Sequence, residues 1–338
     1  MNPILLAPIL ASFLTTLLLM PFWIRKAKQI GIVWEDMNKY HSEKVAGSGG
    51  TIAVLGFIIG VLTYIAYRIF IVQTQLYLVE ILSLLTVILL ATGIGLADDL
   101  FGWRKGGLSK RSRIILLAIA SIPLIVINAG KSQISLPLLG RIDIGLLYPL
   151  LFIPIGIIGA TFTFNFLAGF NGLEAGQGVI LLSSLAAVSF FMGNTWLSIT
   201  ALCMAASLFA FLIFNFYPAE VFPGNSLTYA TGGLIAILAI LGDFEKVAVF
   251  FFTPYIIETI LKSRGKLIKQ SFGAPQKDNT LDLRYDKLYG LEHLAIFLLK
   301  KANIAPTEKR VVYSIWLFQI FIIILGFIIF REGIFIGN

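Results

Sequence analysis

Residues 146–193 read LLYPLLFIPIGIIGATFTFNFLAGFNGLEAGQGVILLSSLAAVSFFMG, two apolar runs (146–168 and 177–193) that meet at the polar, glycine-rich island Asn165–Gly178. A hydrocarbon core about 30 Å thick is crossed by a helix of about 20 apolar residues, so the stretch predicts two membrane helices with the island at one membrane surface. Asn165, Asn171, Glu174 and Gln177 offer hard oxygen ligands and hydrogen-bonding amides, and the glycines let backbone approach a ligand closely. A plain helix–loop–helix connection, with Gly169, Gly172 and Gly176 as helix stops, fits the same residues. What surrounds the island separates the two readings.

Hydrophobic residues make up 58% of the 338-residue chain and charged residues 13%, with a mean hydropathy of +0.90; soluble domains are about one-quarter charged. The expected fold is an all-α polytopic membrane protein forming one domain over residues 1–338. About ten runs qualify as spans: 4–24, 50–72, 76–97, 114–130, 146–168, 177–193, 196–214, 229–242, 246–262 and 311–330. The first lacks a basic flank before it and is followed by PFWIRK instead of a small-residue cleavage site, so it is expected to stay attached.

Lys and Arg are retained on the cytoplasmic side of a membrane protein. Loops 25–50, 98–113 and 262–310 hold five, five and eleven cations, 21 of the 26 in the chain, whereas the opposite side holds only Arg68, Lys131, Arg141, Lys246 and Arg331. Both termini are therefore expected outside the cytoplasm. The net charge of +8 reads first as topology and second as attraction to anionic lipid or phosphate; nothing points to nucleic acid. Cys203 stands alone, which excludes an internal disulfide or a cysteine metal site.

Four further stretches carry chemistry or its alternatives. WEDMNKYHSEKVAGSGG (34–50) places Gly47, Gly49 and Gly50 at the start of the second span, either as an anion-facing set of N–H groups or as loop punctuation. GIGLADDLFGWRKGGLSKRSR (93–113) sets Asp98 beside Asp99 at a span end. Adjacent carboxylates repel and call for a cation or shared proton, and with the basic cluster they are parts that phosphoryl transfer uses; a solvated end with local Asp–Arg pairing is the plainer reading. NFYPAEVFPGNSLTYATGG (215–233) breaks helix at Pro218, Pro223 and Gly224 and leaves Asn225 as a ligand or an N-cap. In 263–310, KQSFGAPQKDNTLDLRYDKL predicts a small extended element and LEHLAIFLLKKA an amphipathic helix along the interface, with His293 on its surface. Residues 131–146 predict an external hairpin.

Together EDMNK…GSGG, GLADDL…GLSKRSR, NFLAGFNGLEAGQG and YPAEVFPGNSLTYATG resemble the polyprenyl-phosphate N-acetylhexosamine-1-phosphate transferases over nearly the whole chain. Asn171–Gln177 and LDLRYDKL are most similar to the eukaryal and archaeal UDP-GlcNAc:dolichyl-phosphate GlcNAc-1-phosphotransferase branch. The resemblance implies ten transmembrane helices, a cytoplasmic groove, Mg²⁺, and transfer of GlcNAc-1-phosphate from UDP-GlcNAc to polyprenyl or dolichyl phosphate with release of UMP, the first lipid-linked step of glycan assembly. It leaves room for a homodimer in the bilayer.

By the same resemblance Asp98 and Asp99 position metal and lipid phosphate, and Arg113 stands for a lysine that contacts that phosphate. Asn165 ligates magnesium together with Asp99 and Asn225, the last standing where the family usually has aspartate. Asn171 reads the uracil, with Gly172 and Glu174 beside it. Glu35, Asp36 and Met37 fall in the nucleotide-sugar loop, Gly47 where some relatives carry glutamate, and Gln276 and Lys277 in place of a sugar-nucleotide grip. Phe162 occupies a position often held by asparagine. A transporter or lipid translocator is the competing class; its sites sit near the bilayer midplane on broken helices, whereas these residues fall at span ends. An inactive homologue is the third reading, because of Asn225.

Overall fold

Apolar runs with few charges fold as helices in lipid because only a helix satisfies its own backbone there. The structure, a computed structural model, describes residues 3–41, 43–136 and 140–336. Among the described residues eight helices are long and apolar enough to cross a membrane. They comprise α1 (Leu6–Ile30), α2 (Gly50–Ala66, continued as a π-turn to Ile71), α3 (Leu78–Lys105), α6 (Ile153–Phe166, preceded by a π-turn from Tyr148), α7 (Leu173–Phe191), α8 (Thr195–Asn215), α9 (Gly224–Gly242) and α13 (Glu308–Ile329).

The two other expected spans are each cut in two. Residues 114–130 fold as α4 (Lys110–Ala120) and α5 (Ile122–Val126), and 246–262 as α10 (Glu245–Phe251) and α11 (Thr253–Arg264). Pro123 and Pro254 sit in the first turn of the second piece in each case. Proline lacks the N–H that would continue the preceding helix but suits the first turn of a new one.

Helix α9 is the centre of the bundle, the most buried of the eight long apolar helices, and it packs on α3 and α6. A Cβ on Gly95 of α3 would lie 2.4 Å from the Asn225 carbonyl oxygen, and one on Gly232 of α9 would lie 2.6 Å from that of Ala160 on α6. Within a bilayer, apolar surface alone does not drive helices together, and small residues that admit close backbone contact do much of that work. Outward rows such as Leu10, Leu14 and Leu18 on α1 and Leu317, Phe321, Ile324 and Ile328 on α13 are exposed, as lipid-facing surface should be.

Among the described residues three antiparallel hairpins decorate the helix ends. Strands β1 (Val33–Glu35) and β2 (Lys44–Ala46) pair Trp34 with Val45. The expected hairpin is present as β3 (Gln133–Leu136) and β4 (Gly140–Asp143), with 137–139 outside the described residues. The short element in 263–310 is β5 (Ala274–Pro275) with β6 (Leu281–Asp282), followed by α12 (Leu291–Lys301). His293 departs from its expected surface place. It is 1% exposed; its Nδ1 accepts the Tyr289 N–H at 3.3 Å and its Nε2 lies 3.3 Å from the Phe272 carbonyl oxygen. The buried side of α12 is thus turned onto the loop that carries Phe272, and burial lowers the imidazole pKa.

Candidate active site

The C-terminal end of α3 meets the N-terminus of α9, where backbone N–H groups lack helical partners and carry partial positive charge. Asp99 fills that role from outside the helix: its Oδ1 accepts the Asn225 N–H at 2.7 Å and its Oδ2 accepts the Ser226 N–H at 3.4 Å and the Ser48 hydroxyl at 3.2 Å. Gly224 is required here twice over. Its φ is +70°, and an added Cβ would lie 2.3 Å from Asp99 Oδ2. Asn225 is therefore not the N-cap its sequence position suggested; it lies inside the first turn, and a carboxylate from another helix caps it.

Asp98 turns away from its neighbour to different partners. Its Oδ1 accepts the Leu108 N–H at 2.7 Å, and its Oδ2 accepts from Asn225 Nδ2 at 2.9 Å and the Tyr229 hydroxyl at 3.3 Å while lying 3.1 Å from Arg113 Nε. The two acids are 2% and 7% exposed. Repulsion between adjacent carboxylates is thus offset by a guanidinium on one and a helix N-terminus on the other, with Asn225 touching both.

The island approaches from the other side. Asn165, near the end of α6, accepts the Thr228 hydroxyl of α9 at 2.8 Å. Glu174, in the first turn of α7, accepts the Gly169 N–H at 2.9 Å. Asn171 donates its main-chain N–H to Glu308 at 2.8 Å and its Nδ2 to Asp36 at 3.0 Å. Lys39 lies 2.9 Å from Glu308 and 3.6 Å from Asp36; burial pulls its pKa down, but the nearby acids Glu308 and Asp36, with Tyr217, together outweigh burial and the net shift is upward. Asn38 ties this loop to two others, donating to the Gly169 carbonyl at 2.8 Å and accepting the Gly273 N–H at 3.2 Å.

These groups enclose a cleft of about 690 Å³. Of the residues expected at the site, Glu35, Asp36, Met37, Asp98, Asp99, Arg113, Asn165, Asn171, Glu174 and Asn225 line it. Four others lie elsewhere. Gly47 is covered by Trp34, whose ring atom would lie 1.3 Å from an added Cβ; Gly172 is pressed by Phe216; Gln276 and Lys277 fall in the turn joining β5 to β6. Gln177 faces α13, its Nε2 3.5 Å from the Ile315 carbonyl. The anion-facing reading of the glycine turn fails, because the Gly49 and Gly50 N–H groups donate to the carbonyls of Phe222 and Pro223 at 3.0 and 2.9 Å.

Sequence reasoning missed Ser48, Asn215 and Phe272, which also line the cleft, and the supporting pair Lys39 and Glu308. Glu308 had one local signal, an acid in the first turn of the last span; its partner lies 269 residues away.

Among the described residues no three His, Cys, Asp or Glu side chains gather as a metal-binding group. The donors available are instead the carboxylates of Asp98 and Asp99 and the amides of Asn165 and Asn225. An all-oxygen set with few carboxylates suits Mg²⁺, which keeps several waters and binds through one or two carboxylates plus substrate phosphates. The residues present fit that ion.

Residues 81–243, from α3 through α9, match glycosyl transferase family 4. A Sulfolobus acidocaldarius protein provisionally named UDP-N-acetylglucosamine-dolichyl-phosphate N-acetylglucosaminephosphotransferase is 33% identical over 327 residues, 95% of each chain. One from Saccharolobus solfataricus with the same provisional name is 35% identical over 315 residues, 92% of each chain. A Dictyostelium discoideum protein of that name, without the proviso, is 28% identical over 282 residues, 72% of this chain and 68% of its own.

Proposed function

The chain belongs to glycosyl transferase family 4, and from that premise we propose that it transfers GlcNAc-1-phosphate from UDP-GlcNAc to a polyprenyl (dolichyl) phosphate, with the cleft on the cytoplasmic face. The observation that carries the reading is the convergence of Asp98, Asp99, Arg113, Asn165, Asn171 and Asn225 on one cleft at one end of the bundle. That placement suits a phosphate held at the membrane surface better than a midplane transport site.

In the reaction an oxygen of the lipid phosphate attacks the sugar-linked phosphorus of UDP-GlcNAc. The bond from that phosphorus to the UMP phosphate oxygen breaks, giving polyprenyl-pyrophosphate-GlcNAc and UMP. A phosphate monoester already carries about 1.5 to 2 negative charges at neutral pH, so the nucleophile needs positioning more than deprotonation. Arg113 supplies that: its Nε is fixed by the Leu108 carbonyl at 2.9 Å and by Asp98 at 3.1 Å, which sets the plane in which the remaining N–H groups meet phosphate. Asp99, Asn165 and Asn225 would hold Mg²⁺, whose contribution when bound is to neutralise charge on the diphosphate and the leaving UMP. The Asp98–Asn225–Asp99 hydrogen bonds keep those donors in place beforehand.

Purified protein given sugar-labelled UDP-GlcNAc and polyprenyl phosphate tests the reading. Label should move to the organic phase with one UMP released per sugar; label released as free GlcNAc-phosphate, or retained on the nucleotide, would overturn it.

A further inference from the structure

Asn171 is held twice from outside its own loop, by Glu308 on its main-chain N–H (2.8 Å) and by Asp36 on its Nδ2 (3.0 Å). The two acids are held in turn. Asp36 Oδ1 accepts the Asn38 N–H at 3.1 Å, and Lys39 Nζ lies 2.9 Å from Glu308 and 3.6 Å from Asp36, over the Tyr217 ring at 3.4 Å from its centre. The Asp36, Lys39 and Glu308 side chains are only 3%, 8% and 2% exposed. Buried charges persist where each is paired, and removing one partner leaves the other stranded.

A carboxylate accepts hydrogen bonds and does not donate them, so Asp36 admits only the NH₂ end of the Asn171 amide; chemistry fixes which end is which. The oxygen end is what remains for the cleft that Asn171 lines. We propose that Asp36, backed by the Lys39–Glu308 pair, is a specificity-determining positioning residue: it locks Asn171 as an acceptor, so that the site takes a pyrimidine with an N3–H donor, uracil, and disfavours cytosine, whose N3 is itself an acceptor. The inference rests on the nucleotide-sugar reading of the cleft. Its force is that an acceptor left unpaired on binding the wrong base costs the full desolvation of that group.

Binding of UMP, CMP and 3-methyl-UMP to wild type, Asp36→Asn and Glu308→Gln in detergent reads the base edge without turnover. Wild type should prefer UMP to both analogues by about 10-fold or more. Asp36→Asn offers Asn171 either end of an amide, so the UMP-to-CMP ratio should shrink several-fold, mainly through weaker UMP binding. Glu308→Gln keeps an acceptor for the Asn171 N–H and should weaken both nucleotides with the ratio preserved. An unchanged ratio in Asp36→Asn, or equal binding of UMP and 3-methyl-UMP by wild type, overturns the proposal. The second comparison needs no variant, so it decides even where Asp36→Asn does not fold. Wild type that turns over UDP-GlcNAc without base preference removes this inference and leaves the transferase standing; wild type that binds neither nucleotide removes both.

Discussion

Two cavities of about 690 Å³ each lie at opposite ends of α6, α7 and α9. The one beyond the C-terminus of α9 is lined by Lys131, Tyr148, Asp243, Glu245, Lys246 and Glu332 with apolar Phe152, Met192, Ile329 and Phe330. Its ion pair, Lys131–Asp243 at 2.5 Å, has side chains 70% and 39% exposed, and a pair so wet contributes about 0–1 kcal/mol. The Tyr148 hydroxyl donates to Glu245 beside it. At the other end, each aspartate is buried and takes hydrogen bonds from at least two separate parts of the chain. Volume is the same at both ends; what differs is that one holds two adjacent, buried aspartates with partners from distant parts of the sequence, whereas the acids of the other, Asp243 and Glu245, are exposed or half-buried.

The largest expected contrast is catalytic. Asp98→Asn and Asp99→Asn should each lower kcat/KM for UDP-GlcNAc by about 10²- to 10³-fold, the range seen when a charge-stabilising group leaves an active site, whereas Asp243→Asn should stay within about twofold. Steady-state UMP release checks it, and equal losses at both ends would erase the distinction between the cavities.

Asn225 gives the next effect, in stability and metal response. Asn225→Asp replaces the 2.9 Å hydrogen bond to Asp98 with two facing carboxylates. Without Mg²⁺ the variant should lose on the order of 1–3 kcal/mol. Added Mg²⁺ should raise its Tm more than that of wild type, since an extra anionic ligand strengthens attraction to a hard dication. Asn225→Leu should lose the metal response. A Tm titration that superimposes for all three proteins would take Asn225 out of the metal site.

Away from both cavities, α12 supplies a smaller, pH-dependent effect. Burial and the nearby Glu258 raise the Glu292 pKa well above 4.5; a Cβ on Gly290 would meet both carboxyls, at 2.6 and 3.1 Å. The native acid keeps its proton where the unfolded chain loses it, so its contribution is intact below 4.5 and declines as pH rises. Glu292→Gln removes that penalty. Its stability gain over wild type should be absent near pH 4.5 and reach up to about 1.4 kcal/mol one pH unit above it, as followed by Tm at stepped pH. The smallest effect belongs to Lys131→Met, within about 1 kcal/mol of wild type and fading with salt.

Local patterns carried most of the fold and half of the site. Spans are visible because lipid demands long apolar runs, whereas the breaks at Pro123 and Pro254 lie inside runs whose hydropathy is continuous across them. Asp98 and Asp99 announced themselves as adjacent charges at a span end. Nothing local showed that Asp99 would cap α9, 126 residues on, or that Lys39 would find Glu308, because such pairings are decided by how the helices pack. His293 misled for the same reason: α12 is amphipathic, and which side it buries depends on the Phe272 loop.

Photolabelling with 5-azido-UDP-GlcNAc, followed by peptide mapping, tests most directly which end binds the nucleotide sugar. Adducts should fall on residues 33–39 or 165–174, compete with UDP-GlcNAc and diminish in Asp36→Asn. Competable adducts confined to residues 131–152 or 243–247 would contradict the assignment of the site to the Asp98–Asp99 cleft.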